Sequence, residues 1–257
     1  MLQNRLRNFA TKVPAIIADI DGVLVRGNRV VGNSHEAIQK LKTPLGRLNA
    51  QKFKDLKDNL IPFMCLSNGG GMMEEVKADT LNDIIKLEGE DKLNGDDIIL
   101  CSTPLKDLAE QYKNEYVLVS GVGDSVNVAF NYGFHKAMHV SEYTSLFPHL
   151  APLTTKYRDE QVTQKHLANL RSRFGYSLDI TAIMLAGEAV LPIKAFFVFH
   201  DVGEMEESLQ IATDLLISKD GVPGSVREVD ERQVVELYTT NPDFGKLILN
   251  PRQLKAN

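Results

Sequence analysis

Ile16-Ile17-Ala18-Asp19-Ile20-Asp21-Gly22-Val23-Leu24 is the stretch that decides the fold of this 257-residue chain. An apolar run ending in Asp-x-Asp-Gly reads as a buried strand that carries two acids at its carboxyl end, where open parallel sheets bind ligands. Residues two apart in an extended chain share a face, so Asp19 and Asp21 can address one site. Gly22 lets the chain turn sharply afterwards. The chemistry suits phosphoryl transfer. One carboxylate can attack phosphorus, its neighbour can protonate the leaving oxygen, and Mg2+ between carboxylate and phosphate can offset the charge repulsion. Calcium loops share Asp-x-Asp-Gly, but their spaced acidic ligands and terminal Glu are absent here.

Further along, Phe63-Met64-Cys65-Leu66-Ser67-Asn68-Gly69-Gly70-Gly71 is again an apolar strand running into a polar turn. A Ser hydroxyl followed by successive backbone N–H groups before a helix is suited to cradle a phosphate. No Gly-Lys-Ser/Thr follows, so this is not a Walker loop. By itself Ser-Asn-Gly is a strand-ending turn. Coming after the strand with two acids, Ser67, Asn68 and Gly69 read as phosphate-binding residues.

Between and beyond these stretches the pattern alternates. Strands are expected at residues 13–18, 61–66, 98–101, 116–120, 136–140, 180–185, 195–199 and 234–239. Helices are expected at residues 35–41, 51–60, 73–87, 105–112, 124–132 and 206–217, with a turn at Pro44-Leu45-Gly46. Such spacing means parallel βαβ units and an α/β class. Residues 154–173 carry many charges and read as a linker or a solvated helix, and residues 220–232 as a surface loop.

Asp19 to Gly27 together with Ser67 to Gly71 resemble motifs I and II of the haloacid dehalogenase (HAD) superfamily. More narrowly, the chain is similar to class IIA and to the cat-eye-syndrome critical-region protein 5 group of mitochondrial HAD-like proteins. Ile98-Ile99-Leu100-Cys101-Ser102-Thr103-Pro104-Leu105, Val117 to Gly123, Phe197-Val198-Phe199-His200-Asp201 and Thr240-Asn241-Pro242-Asp243 extend the resemblance, which weakens between Ala151 and Leu191. It implies a Rossmann-like core over residues 13–112 with an incomplete parallel sheet. An inserted α/β cap domain over 113–245 would close over the site, and 246–257 would begin the return to the core. It also implies Asp19 as nucleophile and Mg2+ ligand, Asp21 as acid/base with its carbonyl on the metal, and Ser67 and Asn68 on the phosphoryl group. The Asn241-Pro242-Asp243 loop is a weaker candidate for substrate contact.

The chain departs from that family where a motif III Lys in Gly-Lys-Pro and a motif IV Gly-Asp-x-x-x-x-Asp are expected. Gly245-Lys246 is followed by Leu247, and Gly123-Asp124 lacks the second Asp. Losing a cation and metal ligands would slow phosphoryl transfer by orders of magnitude. The family also places two later strands beside the first, so Val13 to Asp19 would become an apolar sheet edge, a hazard unless covered. Another polypeptide is therefore expected along that edge, either a complementing half or a subunit of a larger complex. Two functions follow: a Mg2+-dependent phosphatase half-site, or a non-catalytic accessory subunit of a mitochondrial complex.

The remaining features bound these readings. A formal net charge of −5 argues against a dedicated nucleic-acid binder, and no apolar run is long enough to span a bilayer. Cys65 and Cys101 lack CxxC spacing and read as small buried hydrophobes of a reducing compartment. The six histidines show no metal-ligand spacing and read as structural or surface residues. Ser120-Gly121-Val122-Gly123-Asp124 lacks the third Gly of a dinucleotide fingerprint and reads as a tight βα turn. Arg5, Arg7 and Lys12, with no acid among the first twelve residues, suit either a mitochondrial presequence or a plain basic helix. The first places the protein in the mitochondrial matrix, the second in the cytoplasm.

Overall fold

The computed structural model describes residues 15–56, 58–175, 178–186, 191–200 and 205–240. Contacts divide the chain into two compact units, Met1–Lys113 with Gly123–His135, and Asn114–Val122 with Lys136–Asn257. The basic N-terminal stretch, the Asn241-Pro242-Asp243 loop and Gly245-Lys246 lie outside the described residues.

The first unit is built on a parallel sheet in which β4 (Phe63–Ser67) lies between β1 (Ile16–Asp19) and β5 (Ile98–Leu100). Asp19 is level with Leu66 in β4, and Ser67 with Leu100 in β5. Alternation along the strands separates two faces. Ile20, Phe63, Cys65, Ile98 and Leu100 are buried in one apolar cluster with Ala78, Leu81 and Ile85. The last three belong to α3 (Glu74–Ile85), which follows α1 (Ser34–Leu41) and a short α2 (Leu45–Leu48). On the opposite face Ile17 is 65% exposed and Leu66 43%. A hairpin of β2 (Val25–Arg26) and β3 (Arg29–Val30) leaves the end of β1 immediately after Gly22, whose φ of 94° suits only glycine. α4 (Ala109–Tyr112) closes the first segment.

The second unit holds an all-parallel four-stranded sheet in the order β7-β6-β8-β9, with β6 Tyr116–Ser120, β7 Ala137–His139, β8 Ile193–Val198 and β9 Glu236–Thr239. Between β6 and β7 in sequence, α5 (Ser125–Tyr132) groups with the first unit. The sheet packs into a core of Leu118, Phe196, Tyr143, Leu170 and Ile211 with α6 (Val140–Leu146), α8 (Glu160–Phe174) and α10 (Met205–Leu216); a short α7 (Pro152–Thr155) precedes α8. Gly221 closes this core tightly: its φ is +83°, and a Cβ there would stand 2.2 Å from the Ile193 carbonyl oxygen.

Four local expectations are corrected. Residues 180–185 are not a strand; they lie in α9 (Ile180–Ala186). A short apolar run fits either state, and Asp179 decides it by accepting the Ala182 N–H at 2.9 Å as a helix cap. Among the described residues of 51–60 no α-helix forms, and Lys54–Leu56 makes a 3-10 turn. The expected turn at Pro44-Leu45-Gly46 is instead the start of α2, which Pro44 precedes as N-cap residue. Within 154–173 the linker reading also gives way, because α8 buries Leu167, Leu170 and Phe174.

Candidate active site at the carboxyl edge of the first sheet

β1 ends at Asp19, and Ile20 follows fully buried, so Asp19 and Asp21 are both left exposed beside it. Asp19 Oδ1 accepts the Ile20 N–H at 2.9 Å. The turn after Asp21 is fixed by the Gly22 N–H on the Val25 carbonyl at 2.7 Å and by a bridge between Asp21 and Val25. The acidic pair therefore sits on a short, anchored segment rather than a free loop.

The polar turn after β4 arrives at the same edge. Ser67 is buried, and its hydroxyl donates to Asp21 Oδ2 at 3.2 Å while accepting the Gly69 N–H at 3.0 Å. Asn68 is exposed on this turn. The Gly69 carbonyl accepts the Cys101 N–H at 3.3 Å, and the Gly71 carbonyl accepts the Asp124 N–H at 2.8 Å. The geometry thus joins Asp21, Ser67 and Gly69 directly. Asp19 lies two residues before Asp21 at that edge, as the last residue of β1. No lysine or arginine forms an ion pair with either aspartate among the described residues.

Beneath the turn lies a group that residue patterns gave no reason to single out. Glu74, the first residue of α3, is fully buried, and its Oε1 accepts from Thr103 Oγ1 at 2.7 Å, Tyr132 OH at 2.9 Å and Lys106 Nζ at 2.9 Å. Burial pushes its carboxyl pKa up, but the hydrogen bonds from Thr103, Lys106 and Tyr132 outweigh it and hold the group below its ordinary value. A carboxylate at a helix N-terminus also faces the positive end of the helix dipole. Glu74 therefore ties the end of the polar turn to the segment after β5 and to α5. A Glu three residues past Gly-Gly-Gly was the only sequence signal, and it is a common helix-start residue.

The second unit carries its own buried polar network. Arg158 pairs with Glu207, and Arg173 pairs with Glu142 at 2.8 Å. Ser141 and Thr144 donate to Glu207, and Ser145 bonds the His166 ring at 2.9 Å. His139 caps α6 by accepting the Ser141 N–H at 3.2 Å, and its other ring nitrogen meets the Gly121 carbonyl at 3.4 Å. Each charge is matched, which is the arrangement of a structural network. This agrees with the structural reading of His139 and His166.

Residues 16–135 match the family of haloacid dehalogenase-like hydrolases. The chain is 26% identical over 255 residues to mitochondrial hydrolase YKR070W of Saccharomyces cerevisiae, covering 99% of this chain and 61% of that protein. It is 29% identical over 227 residues to a cardiolipin synthase (CMP-forming) / mitochondrial hydrolase fusion protein of Schizosaccharomyces pombe, covering 88% of this chain and 31% of that one. The chain thus spans less than two thirds of either relative. A hypothetical protein from Pyrococcus horikoshii OT3 aligns at 14% identity and a TM-score of 0.36, covering 87% of this chain and 95% of that one, too distant to bear on details.

Proposed function

We propose that this chain, a member of the haloacid dehalogenase-like hydrolase family through its residues 16–135, is a phosphatase-type hydrolase that works through an aspartyl-phosphate on Asp19. The observation that carries the reading is the Ser67 hydroxyl bridging Asp21 and the Gly69 N–H at the edge where β1 ends in Asp19. In this mechanism Asp19 attacks phosphorus and the ester P–O bond breaks, while the Asp21 carboxyl gives its proton to the departing oxygen. Water then attacks phosphorus and Asp21 takes its proton, releasing phosphate and restoring Asp19. Ser67, Asn68 and Gly69 hold the phosphoryl oxygens, and Ser67 also keeps Asp21 in place.

Two exposed carboxylates with open solvent beside them fit Mg2+, which commonly takes one or two carboxylates together with waters and a substrate phosphate. Asp19 and the Asp21 carbonyl would hold it, and when bound it neutralises charge on the phosphoryl group. Residues 113–245 would serve as the cap that selects substrate. The names of the two curated relatives support a mitochondrial location, with the matrix as the compartment that suits a basic N-terminal presequence.

A second element of the reading concerns partners. Among the described residues β1 pairs only with β4, and Ile17 and Leu66 are exposed on the sheet face that carries Asp19. Parallel sheets are ordinarily covered on both faces, and open apolar edges invite association. Another polypeptide segment lying on this edge would complete the sheet and add a cation and carboxylates to the site, so the chain alone turns over slowly. A purely accessory role is the alternative that the same exposed edge supports.

The test is hydrolysis of an aryl phosphate with Mg2+ by the wild-type chain and by Asp19→Asn. Faster release by the wild type supports the hydrolase; equal rates in both leave only the accessory role.

A further inference from the structure

The hairpin that follows the acidic pair places two arginines directly opposite each other. Arg26 in β2 and Arg29 in β3 are register partners across the tight Gly27-Asn28 turn, and both are exposed. Like charges facing each other across an antiparallel pair are destabilising. Neither arginine forms an ion pair among the described residues. Solubility does not require this arrangement, because the same charges spread along the surface would repel less.

The hairpin is also held firmly against the acidic edge. Val25 is 3% exposed and belongs to the apolar cluster under the sheet. The Val31 N–H donates to the Leu24 carbonyl at 3.0 Å, and the Ser34 hydroxyl donates to that carbonyl at 3.0 Å. Alternation turns Val25 and Val30 to one side of the hairpin and Arg26 and Arg29 to the other. Because Val25 bridges Asp21, the next residue along can bring its guanidinium to within about 10 Å of the acidic pair.

We propose that Arg26 and Arg29 form a clamp for a second anionic group on the substrate, so that the preferred substrates are phosphomonoesters carrying a further carboxylate or phosphate a few bonds from the ester phosphate. Paired guanidinium forks suit such oxyanions, and binding one relieves the repulsion between the arginines. The proposal rests on the phosphatase reading for the position of the ester phosphate.

The test uses three ligands with one carbon skeleton: propyl phosphate, the phosphate ester of 3-hydroxypropanoate, and propane-1,3-diol bisphosphate. Their affinities are measured by calorimetry with Mg2+ on the wild-type chain, whose slow turnover alone leaves the ligand intact during the titration, and on the Arg26→Gln, Arg29→Gln double variant. The clamp predicts that one or both dianchored ligands bind about tenfold or more tightly than propyl phosphate. That preference disappears in the double arginine variant, while propyl phosphate binding changes less than about twofold and the melting temperature does not fall. A preference for the carboxylate ester over the bisphosphate, or the reverse, names the anion. Equal affinity for all three, no binding of any, or a preference that survives the double variant overturns the proposal. Loss of the phosphatase reading is seen separately, as equal aryl phosphate hydrolysis by the wild type and Asp19→Asn.

Discussion

The hydroxyl of Ser67 stands 3.2 Å from Asp21 Oδ2 and donates to it, while the same oxygen accepts the Gly69 N–H at 3.0 Å. One buried side chain thus fixes both the proposed acid and the start of the proposed phosphate cradle. Ser67→Ala removes both bonds at once. Hydrolysis of an aryl phosphate is expected to fall about a hundredfold in kcat/KM, in line with loss of one preorganised donor. Far-ultraviolet circular dichroism should be unchanged, which separates the effect from unfolding.

Arg158 and Glu207 make a pair in which both side chains are almost wholly withdrawn from water. Arg158→Met leaves the Glu207 carboxylate buried without its cation and should cost about 3–5 kcal/mol. Arg158→Met with Glu207→Leu should recover most of that loss, because a matched apolar pair avoids the unpaired charge. Urea denaturation of the wild type and both variants checks the order.

His139 gives the second unit a pH dependence. Burial holds its pKa below the ordinary imidazole value of 6.5, against opposing contributions from the Gly121 carbonyl, Glu142 and Glu207. The unfolded chain therefore binds a proton more readily than the folded one. The resulting stability is fully present above about pH 6.5 and is lost as pH falls through the lower folded value. His166 shifts the same way, through burial and then the nearby Arg158. Urea midpoints measured from about pH 7.5 down to about 5.5 should decline, and less steeply in His139→Asn, which keeps a capping acceptor for the Ser141 N–H.

Cys65 is buried in the first unit, and burial, followed by the charge of Asp97, pushes its thiol pKa up to about 12. Only thiolates react readily with alkylating reagents. The native protein should therefore label at half-buried Cys101 and leave Cys65 untouched until denaturant is added. Peptide mass spectrometry after brief alkylation reads this directly.

Much of this architecture was legible in the residues. Asp19, Asp21 and Ser67 stand at strand ends, where a change from apolar to polar residues marks the carboxyl edge of a parallel sheet. β6 coincides with residues 116–120, because an unbroken apolar run flanked by polar residues leaves few alternatives. What escaped had physical reasons. Residues 180–185 are as apolar as a strand, and only the Asp179 side chain, acting across three residues, favours the helix. Residues 154–173 looked solvated because their charges are visible in sequence while their partners, Glu207 and Glu142, lie far away in the chain. Glu74 was hidden for the same reason, since its donors Thr103, Lys106 and Tyr132 come from later segments. The opposed pair Arg26 and Arg29 became visible only once the hairpin register was known.

In the proposed reaction Asp19 receives the phosphoryl group. Acid-quenched single-turnover reactions of the chain with an aryl phosphate and Mg2+, digested and analysed by mass spectrometry, measure it most directly. A phosphoryl adduct on the peptide containing Asp19, absent from the Asp19→Asn protein, is the predicted result. Phosphate released with no adduct at Asp19, or an adduct that persists in Asp19→Asn, would contradict the account.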